Sequence, residues 1–303
     1  MTARQKYRIG LVQMSCGPDP DANLAKGAER VGELAARGAS VICLPELFRT
    51  QYFCQREDHA FFDEAEPIPG PTVERLGRVA KERRVTIFAP VFERRSAGVY
   101  HNTTVVLGPE GAILGRYRKM HIPDDPLYYE KFYFAPGDLG FPTFPMPSGR
   151  AGVLICWDQW YPEAARIEAL SGAELVFYPT AIGWHPAEKQ EFGAAQHDAW
   201  ETIQRAHAIA NGMYIAVPNR VGHEHGDVRG NRADGPGIEF WGGSFVADPF
   251  GRVVAKASHD REELLVAEVD PEEVETVRRH WPFLRDRRVD AYGPITHRFL
   301  DPP

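Results

Sequence analysis

Three residues stand where a strand-forming run gives way to a turn and carry side chains able to act on a polarised carbon. Cys156 follows the apolar run 151–155 and precedes Pro162-Glu163, which marks a helix start. A sulfur there faces a partly positive loop and helix N-terminus, a setting that favours a thiolate. Glu46 holds the matching place after Leu44-Pro45, where a charge at the end of a buried strand is costly unless it is used or paired, and it suits a general base. Lys119, in Gly115-Arg-Tyr-Arg-Lys-Met-His121, follows the run 111–117 and has the charge to steady a developing oxyanion. Spacing alone also allows plainer readings, Cys156 as a small buried residue and Lys119 as a solvated cation in a basic run. Cys43 lies inside its strand and reads as packing, while Cys16 and Cys54 have no distinguishing partner.

The elements that must position these residues occur in two similar sets. Strand 7–14, helix 23–37 and strand 40–44 are echoed by strand 150–155, helix 162–170 and strand 175–178. Gly38-Ala-Ser-Val-Ile-Cys-Leu-Pro45 resembles Gly172-Ala-Glu-Leu-Val-Phe-Tyr-Pro179, each strand closing on a proline. Further strands fit 85–89, 103–107, 112–117, 214–217, 243–247 and 253–257, with matching turns at Gly108-Pro-Glu-Gly111 and Asp248-Pro-Phe-Gly251. Val73, Leu76, Val79 and Ala80, and Trp200, Ile203, His207 and Ala210, give each half a second helix. Helices covering apolar sheets lead to a four-layer α-β-β-α sandwich of two pseudo-symmetric halves, forming one domain over 1–303. The irregular, aromatic-rich stretches 50–71 and 122–144 read as lids.

Composition narrows the function. Lys+Arg 35 against Asp+Glu 42 gives a net charge of -7 over 303 residues without a dense basic block, which argues against nucleic acid as a partner. The first seven residues are polar and no run approaches the roughly 20 apolar residues of a membrane span, so a cytoplasmic protein is expected. Four cysteines without C-x-x-C spacing suggest neither a zinc ribbon nor a disulfide framework. His223-Glu-His225 near Asp227 lacks a third anchored ligand, and Gly235-Pro-Gly237 and Gly242-Gly243 lack the context of a phosphate loop, so neither a metal nor a cofactor is expected.

Leu44-Pro-Glu-Leu-Phe48, Tyr117-Arg-Lys-Met-His-Ile-Pro123 and Ile155-Cys-Trp-Asp-Gln-Trp-Tyr-Pro-Glu163 resemble, in order and spacing, the three signature segments of the nitrilase (carbon-nitrogen hydrolase) superfamily. The resemblance runs through Gly242-Gly-Ser-Phe-Val-Ala247 to Arg285-Asp-Arg-Arg288. It implies a thiol amidohydrolase with Glu46 as general base, Cys156 as nucleophile, Lys119 as stabiliser of the tetrahedral intermediate and the Trp157 N–H as second oxyanion donor. Glu130, in Tyr128-Tyr-Glu-Lys-Phe-Tyr133, resembles the additional acid that positions substrate and lysine in many members. By the same resemblance Asp158, Tyr52 and Thr180 are expected to contact substrate.

Within the superfamily, Tyr52-Phe-Cys-Gln55, 130–134 and Cys156-Trp-Asp-Gln-Trp160 are most similar to the N-carbamoylputrescine amidohydrolases. Relatives acting on carbamoyl amino acids place an arginine after the nucleophile to hold a carboxylate, and here Asp158, Gln159 and Trp160 stand instead, so an uncharged or cationic tail fits better. After Pro179-Thr-Ala-Ile-Gly183 many of those enzymes carry an acid before proline, whereas this chain reads Trp184-His185-Pro186. Asp124, Asp125, Glu188 or Glu191, with His185, are the candidates to meet the tail. Alternatives are an N-carbamoyl-β-alanine or N-carbamoyl amino acid amidohydrolase, a simple aliphatic amidase, a Cys-His protease using His121 or His185, and a silent binding or assembly module. The segment 280–303 mixes aromatics and arginines and resembles an interface arm, which implies a homodimer or larger homo-oligomer.

Overall fold

The computed structural model describes residues 4–231 and 235–301. In the first half, β1 (Tyr7–Gln13), α1 (Pro20–Ala36), β2 (Val41–Cys43), α2 (Pro71–Arg83), β3 (Thr86–Ser96), β4 (Val99–Leu107) and β5 (Ile113–Arg118) follow one another. Asp19 caps α1 by accepting from the backbone of Asp21 and Ala22, with Pro20 in the first turn, so this helix starts one turn before the apolar spacing shows. Strands β1, β2 and β3 are parallel, and β3, β4 and β5 run antiparallel.

A short α3 (Glu130–Tyr133) and β6 (Phe144–Pro145) lead into the second half. There β7 (Arg150–Val153), α4 (Pro162–Leu170), β8 (Leu175–Phe177), β9 (Gly183–Trp184), α5 (Lys189–Asn211), β10 (Tyr214–Val217), β11 (Val221–Glu224), β12 (Ile238–Trp241), β13 (Phe245–Ala247) and β14 (Val253–Lys256) follow, then β15 (Glu263–Val269) and α6 (Pro271–His280). The two main sheets have the orders β15-β1-β2-β3-β4-β5 and β14-β13-β10-β8-β7-β6, so the second repeats the first with β9, β11 and β12 forming a separate small sheet. Each half sends its last strand across. β6 follows β5 yet pairs with β7, and β15 follows β14 yet pairs with β1 over seven residues.

Alternation of the strands divides the interior. Ile9, Leu11, Val41, Cys43, Phe88 and Val106 join Val153, Leu175, Phe177 and Ile215 in one core, while Val12, Ile42, Leu44, Ile87 and Val105 pack with Val31, Leu34 and Leu76 of α1 and α2. Cys43 is therefore packing between sheets, as its position in the strand predicts. The two matching turns both close with Gly111 at φ +80 and Gly251 at φ +73, conformations that favour glycine.

Apolar spacing marks the second-half helix only at 200–210, but α5 begins at Lys189. β15 and α6 are not among the elements that the spacing predicts. Glu263-Leu-Leu-Val-Ala-Glu-Val269 is rich in helix formers, and only its pairing with β1 makes it a strand. The stretches 50–71 and 122–144 pack on one another through Phe53, Phe61, Tyr133 and Phe134, and on Phe92 of β3, with Phe53 and Tyr133 ring centres 5.0 Å apart. They form an anchored wall rather than a lid.

Candidate active site

After β7 the chain stays pinned to β8: Leu154 N donates to Phe177 O at 2.9 Å and Cys156 N donates to Pro179 O at 3.0 Å. Cys156 itself lies at φ +43, a left-handed conformation unfavourable for a residue with a side chain. The sharp elbow continues as a single 3-10 turn, Cys156–Trp160. Asp158 holds this turn. Its Oδ2 accepts from Ile155 N at 2.8 Å and Tyr117 Oη at 2.7 Å, and its Oδ1 meets His121 N at 3.0 Å and His121 Nδ1 at 2.7 Å. Asp158 is wholly buried with both oxygens engaged, which corrects the expectation that it contacts substrate.

Glu46, Lys119 and Glu130 meet below the elbow from three separate segments. Lys119 Nζ lies 2.8 Å from Glu46 Oε1 and 2.9 and 2.7 Å from the two oxygens of Glu130, all three side chains being buried. Asn102 Nδ2 also donates to Glu46 Oε1 at 2.7 Å, and Tyr52 Oη donates to Glu130 Oε1 at 2.6 Å. Tyr52 thus acts on Glu130 and is itself buried, so its role as a substrate contact is corrected to one of support. Thr180 is corrected likewise, being wholly buried with its hydroxyl donating to Tyr178 O at 2.7 Å.

The loop that carries Glu46 is tied down by Arg220, a fully buried residue at the end of β10. Its guanidinium donates to Glu46 O, Leu47 O and Thr50 O and pairs with Glu224 Oε2 at 2.8 Å. Neither Arg220 nor Asn102 is marked out by the sequence alone. The available signal was the tripeptide Pro218-Asn-Arg220, which closes β10 as Pro45-Glu46 closes β2.

A cavity of about 440 Å³ opens over Cys156. Trp157, Trp160, Trp241, Tyr128, Ile182 and Gly183 form much of its wall, and Glu130 reaches it from below. Asp125, His185 and Glu188 line it, whereas Asp124 and Glu191 are exposed elsewhere, which removes them from the tail candidates. No lysine or arginine is among the described residues lining this cavity.

A family profile described as carbon-nitrogen hydrolase matches residues 8–279. This chain belongs to that family. An N-carbamoylputrescine amidase of Arabidopsis thaliana is similar to this hydrolase at 42% identity over 95% of this chain and 95% of that protein. A citrullinase of Francisella tularensis is 35% identical over 96% of this chain and 99% of its own. The crystal structure of a carbon-nitrogen hydrolase from Helicobacter pylori superposes with a TM-score of 0.91 at 45% identity, covering 98% of this chain and 100% of that one. The nitrilase-like sandwich and a hydrolase acting on carbon-nitrogen bonds are thereby established, and the silent-module alternative falls.

Electrostatics in this carbon-nitrogen hydrolase revise one expectation. Burial pushes the Cys156 thiol well above the ordinary range, and the negative charge of Glu46 pushes it further, against the pull of Lys119. The resting sulfur is a thiol, not the thiolate expected from a helix N-terminus, so attack needs a base beside it. For Lys119 burial works against the charge, but Glu130 and Glu46 overcome it and hold the ammonium protonated. Burial followed by the charge of Glu46 raises Glu130, with Lys119 opposing. The groups acting most on Cys156 are thus carboxylates and a lysine. His121 is committed to Asp158 and stacks on Tyr161 with ring centres 3.7 Å apart, which argues against His121 as the partner of a Cys-His pair. His223 Nε2 and His225 Nδ1 lie against the carbonyls of Pro236 and Gly235, and no cluster of three metal-ligating side chains occurs among the described residues. No helix among them is long and apolar enough to cross a membrane.

Proposed function

We propose that the chain hydrolyses a small N-carbamoyl amine with a cationic tail, N-carbamoylputrescine above all, to putrescine, carbon dioxide and ammonia. The observation that carries this is the cavity over Cys156, lined by Asp125, Glu188 and three tryptophans without a lysine or arginine among the described residues. Carboxylates with aromatic faces suit an ammonium, and a substrate carboxylate finds no lysine or arginine among the described residues of these walls. The similarity to relatives named N-carbamoylputrescine amidase supports the same reading.

In this mechanism Glu46 takes the thiol proton as Cys156 attacks the carbamoyl carbon. Lys119 and the Trp157 N–H receive the developing oxyanion, and a protonated nitrogen leaves. Water activated by Glu46 then cleaves the thioester-like intermediate. Glu130, held by Tyr52, keeps Lys119 in place.

We further read residues 1–303 as one domain and the protein as cytoplasmic, in keeping with four unpaired, buried cysteines. The segment 280–303, of which 302 and 303 lie outside the described residues, is read as an arm of a homodimer, because Val289, Ile295 and Phe299 are 69, 65 and 77% exposed. Unchanged mass in light scattering after truncation before His280 removes that assignment. The substrate is tested by ammonia release from N-carbamoylputrescine, citrulline, N-carbamoyl-β-alanine, N-carbamoyl-D-amino acids, simple amides and nitriles. N-carbamoylputrescine gives the highest kcat/KM; preference for a carboxylate-bearing tail overturns the reading.

A further inference from the structure

The two oxygens of Glu46 are in different situations. Oε1 accepts from Lys119 Nζ at 2.8 Å and Asn102 Nδ2 at 2.7 Å, whereas Oε2 is buried without a hydrogen-bond partner among the described residues. An oxygen holding two donors, one of them charged, is the poorer proton acceptor, and its bare neighbour the better. Asn102 is also a costly residue to keep in this place. It is wholly buried and its Oδ1 has no partner among the described residues, a half-satisfied amide where an apolar side chain of the same shape carries no such penalty. Its backbone carbonyl accepts from Lys119 N at 2.9 Å, so one residue of β4 sets both Glu46 and Lys119.

We propose that Asn102 is a positioning residue that, together with Lys119, occupies Oε1 of Glu46 and commits Oε2 to proton transfer. This rests on the roles proposed above for Cys156, Glu46 and Lys119. Oε2 takes the thiol proton as the sulfur-carbon bond forms and passes it to the leaving nitrogen as the carbon-nitrogen bond breaks. It then takes a proton from water as the oxygen-carbon bond forms and returns it to sulfur as the sulfur-carbon bond breaks. Without the Asn102 donor the carboxylate turns about its terminal bond, and neither oxygen is held for this exchange.

The test compares Asn102→Leu, which removes donor and orphan acceptor at similar volume, with Asn102→Asp, which keeps the shape and replaces the donor by an acceptor. Tm, kcat, KM and the rate of Cys156 alkylation by iodoacetamide are measured for both, using N-carbamoylputrescine as substrate. The leucine variant keeps or raises Tm, loses at least about tenfold in kcat with KM within about twofold, and is alkylated more slowly. The aspartate variant loses more, at least about a hundredfold, because a second carboxylate faces Oε1. A space-filling role gives the opposite order, with aspartate near wild type, and that order overturns the proposal. Should the leucine variant not fold, a folded aspartate variant with wild-type kcat overturns it just as well. Failure of the underlying reading is separate, since it shows as turnover surviving in Cys156→Ala.

Discussion

Lys119 Nζ lies 2.8 Å from Glu46 Oε1 with both side chains wholly excluded from solvent. A buried pair of this kind is weak support for stability, because desolvation offsets its attraction, but removing one partner strands the other. Lys119 is the cation that this site sets against both Glu46 and Glu130. We expect Glu46→Gln and Lys119→Ala each to lower turnover by at least about a hundredfold, with Lys119→Ala also reducing thermal stability. Near wild-type rates in either variant take that residue out of the mechanism.

Cys156→Ala abolishes turnover and leaves the fold intact, because the left-handed elbow is held by backbone bonds of Cys156 and Leu154 and by Asp158, not by the sulfur. Cys43→Ala acts on stability instead, by about 1–2 kcal/mol for a packed side chain reduced in size. Mass spectrometry of the wild-type protein under turnover finds the acyl adduct on Cys156; an adduct on Cys16, Cys43 or Cys54 contradicts the assignment.

Arg220→Met leaves three carbonyls and the Glu224 carboxylate without their shared donor in the interior. The expected loss is on the order of 3–5 kcal/mol in urea unfolding, with activity falling in step because Glu46 sits on the same loop. A wild-type unfolding midpoint is the outcome that refutes it.

Glu168, buried in α4, is raised by desolvation and then by the charge of Asp158 to about 9. Its folded-state value lies above its unfolded one, so its contribution is complete below the ordinary carboxylate range and is lost as pH rises toward about 9. Glu168→Gln therefore flattens the stability profile and is the more stable protein at pH 8. Parallel wild-type and variant profiles between pH 5 and 8 rule this out.

Asp125→Asn and Glu188→Gln raise KM for a cationic tail by a few-fold each and leave simple amides unaffected, the scale of exposed ion pairs at about 0.2–1 kcal/mol. Measuring KM at two salt concentrations checks the sign, since added salt weakens wild-type binding of the cationic substrate more than that of either variant. Equal salt sensitivity in all three proteins counts against these carboxylates.

Much of this molecule is legible without coordinates where the signal is local. The repeated strand-helix-strand order, the twin turns ending at Gly111 and Gly251, and Glu46, Lys119 and Cys156 at strand ends all follow from alternation, turn chemistry and charge placed next to apolar runs. What only the tertiary structure decides depends on contacts between distant segments. Whether 263–269 is a strand depends on β1, more than 240 residues earlier, and whether Asp158 meets substrate or Tyr117 depends on a sheet edge brought from the other half. The charge state of Cys156 belongs to the same class: a local helix start argues for a thiolate, but burial and two carboxylates delivered by separate segments reverse it. Asn102 and Arg220 were silent in the sequence for the same reason, since an amide or a guanidinium has a role only once folding places Glu46, its backbone and Glu224 within reach.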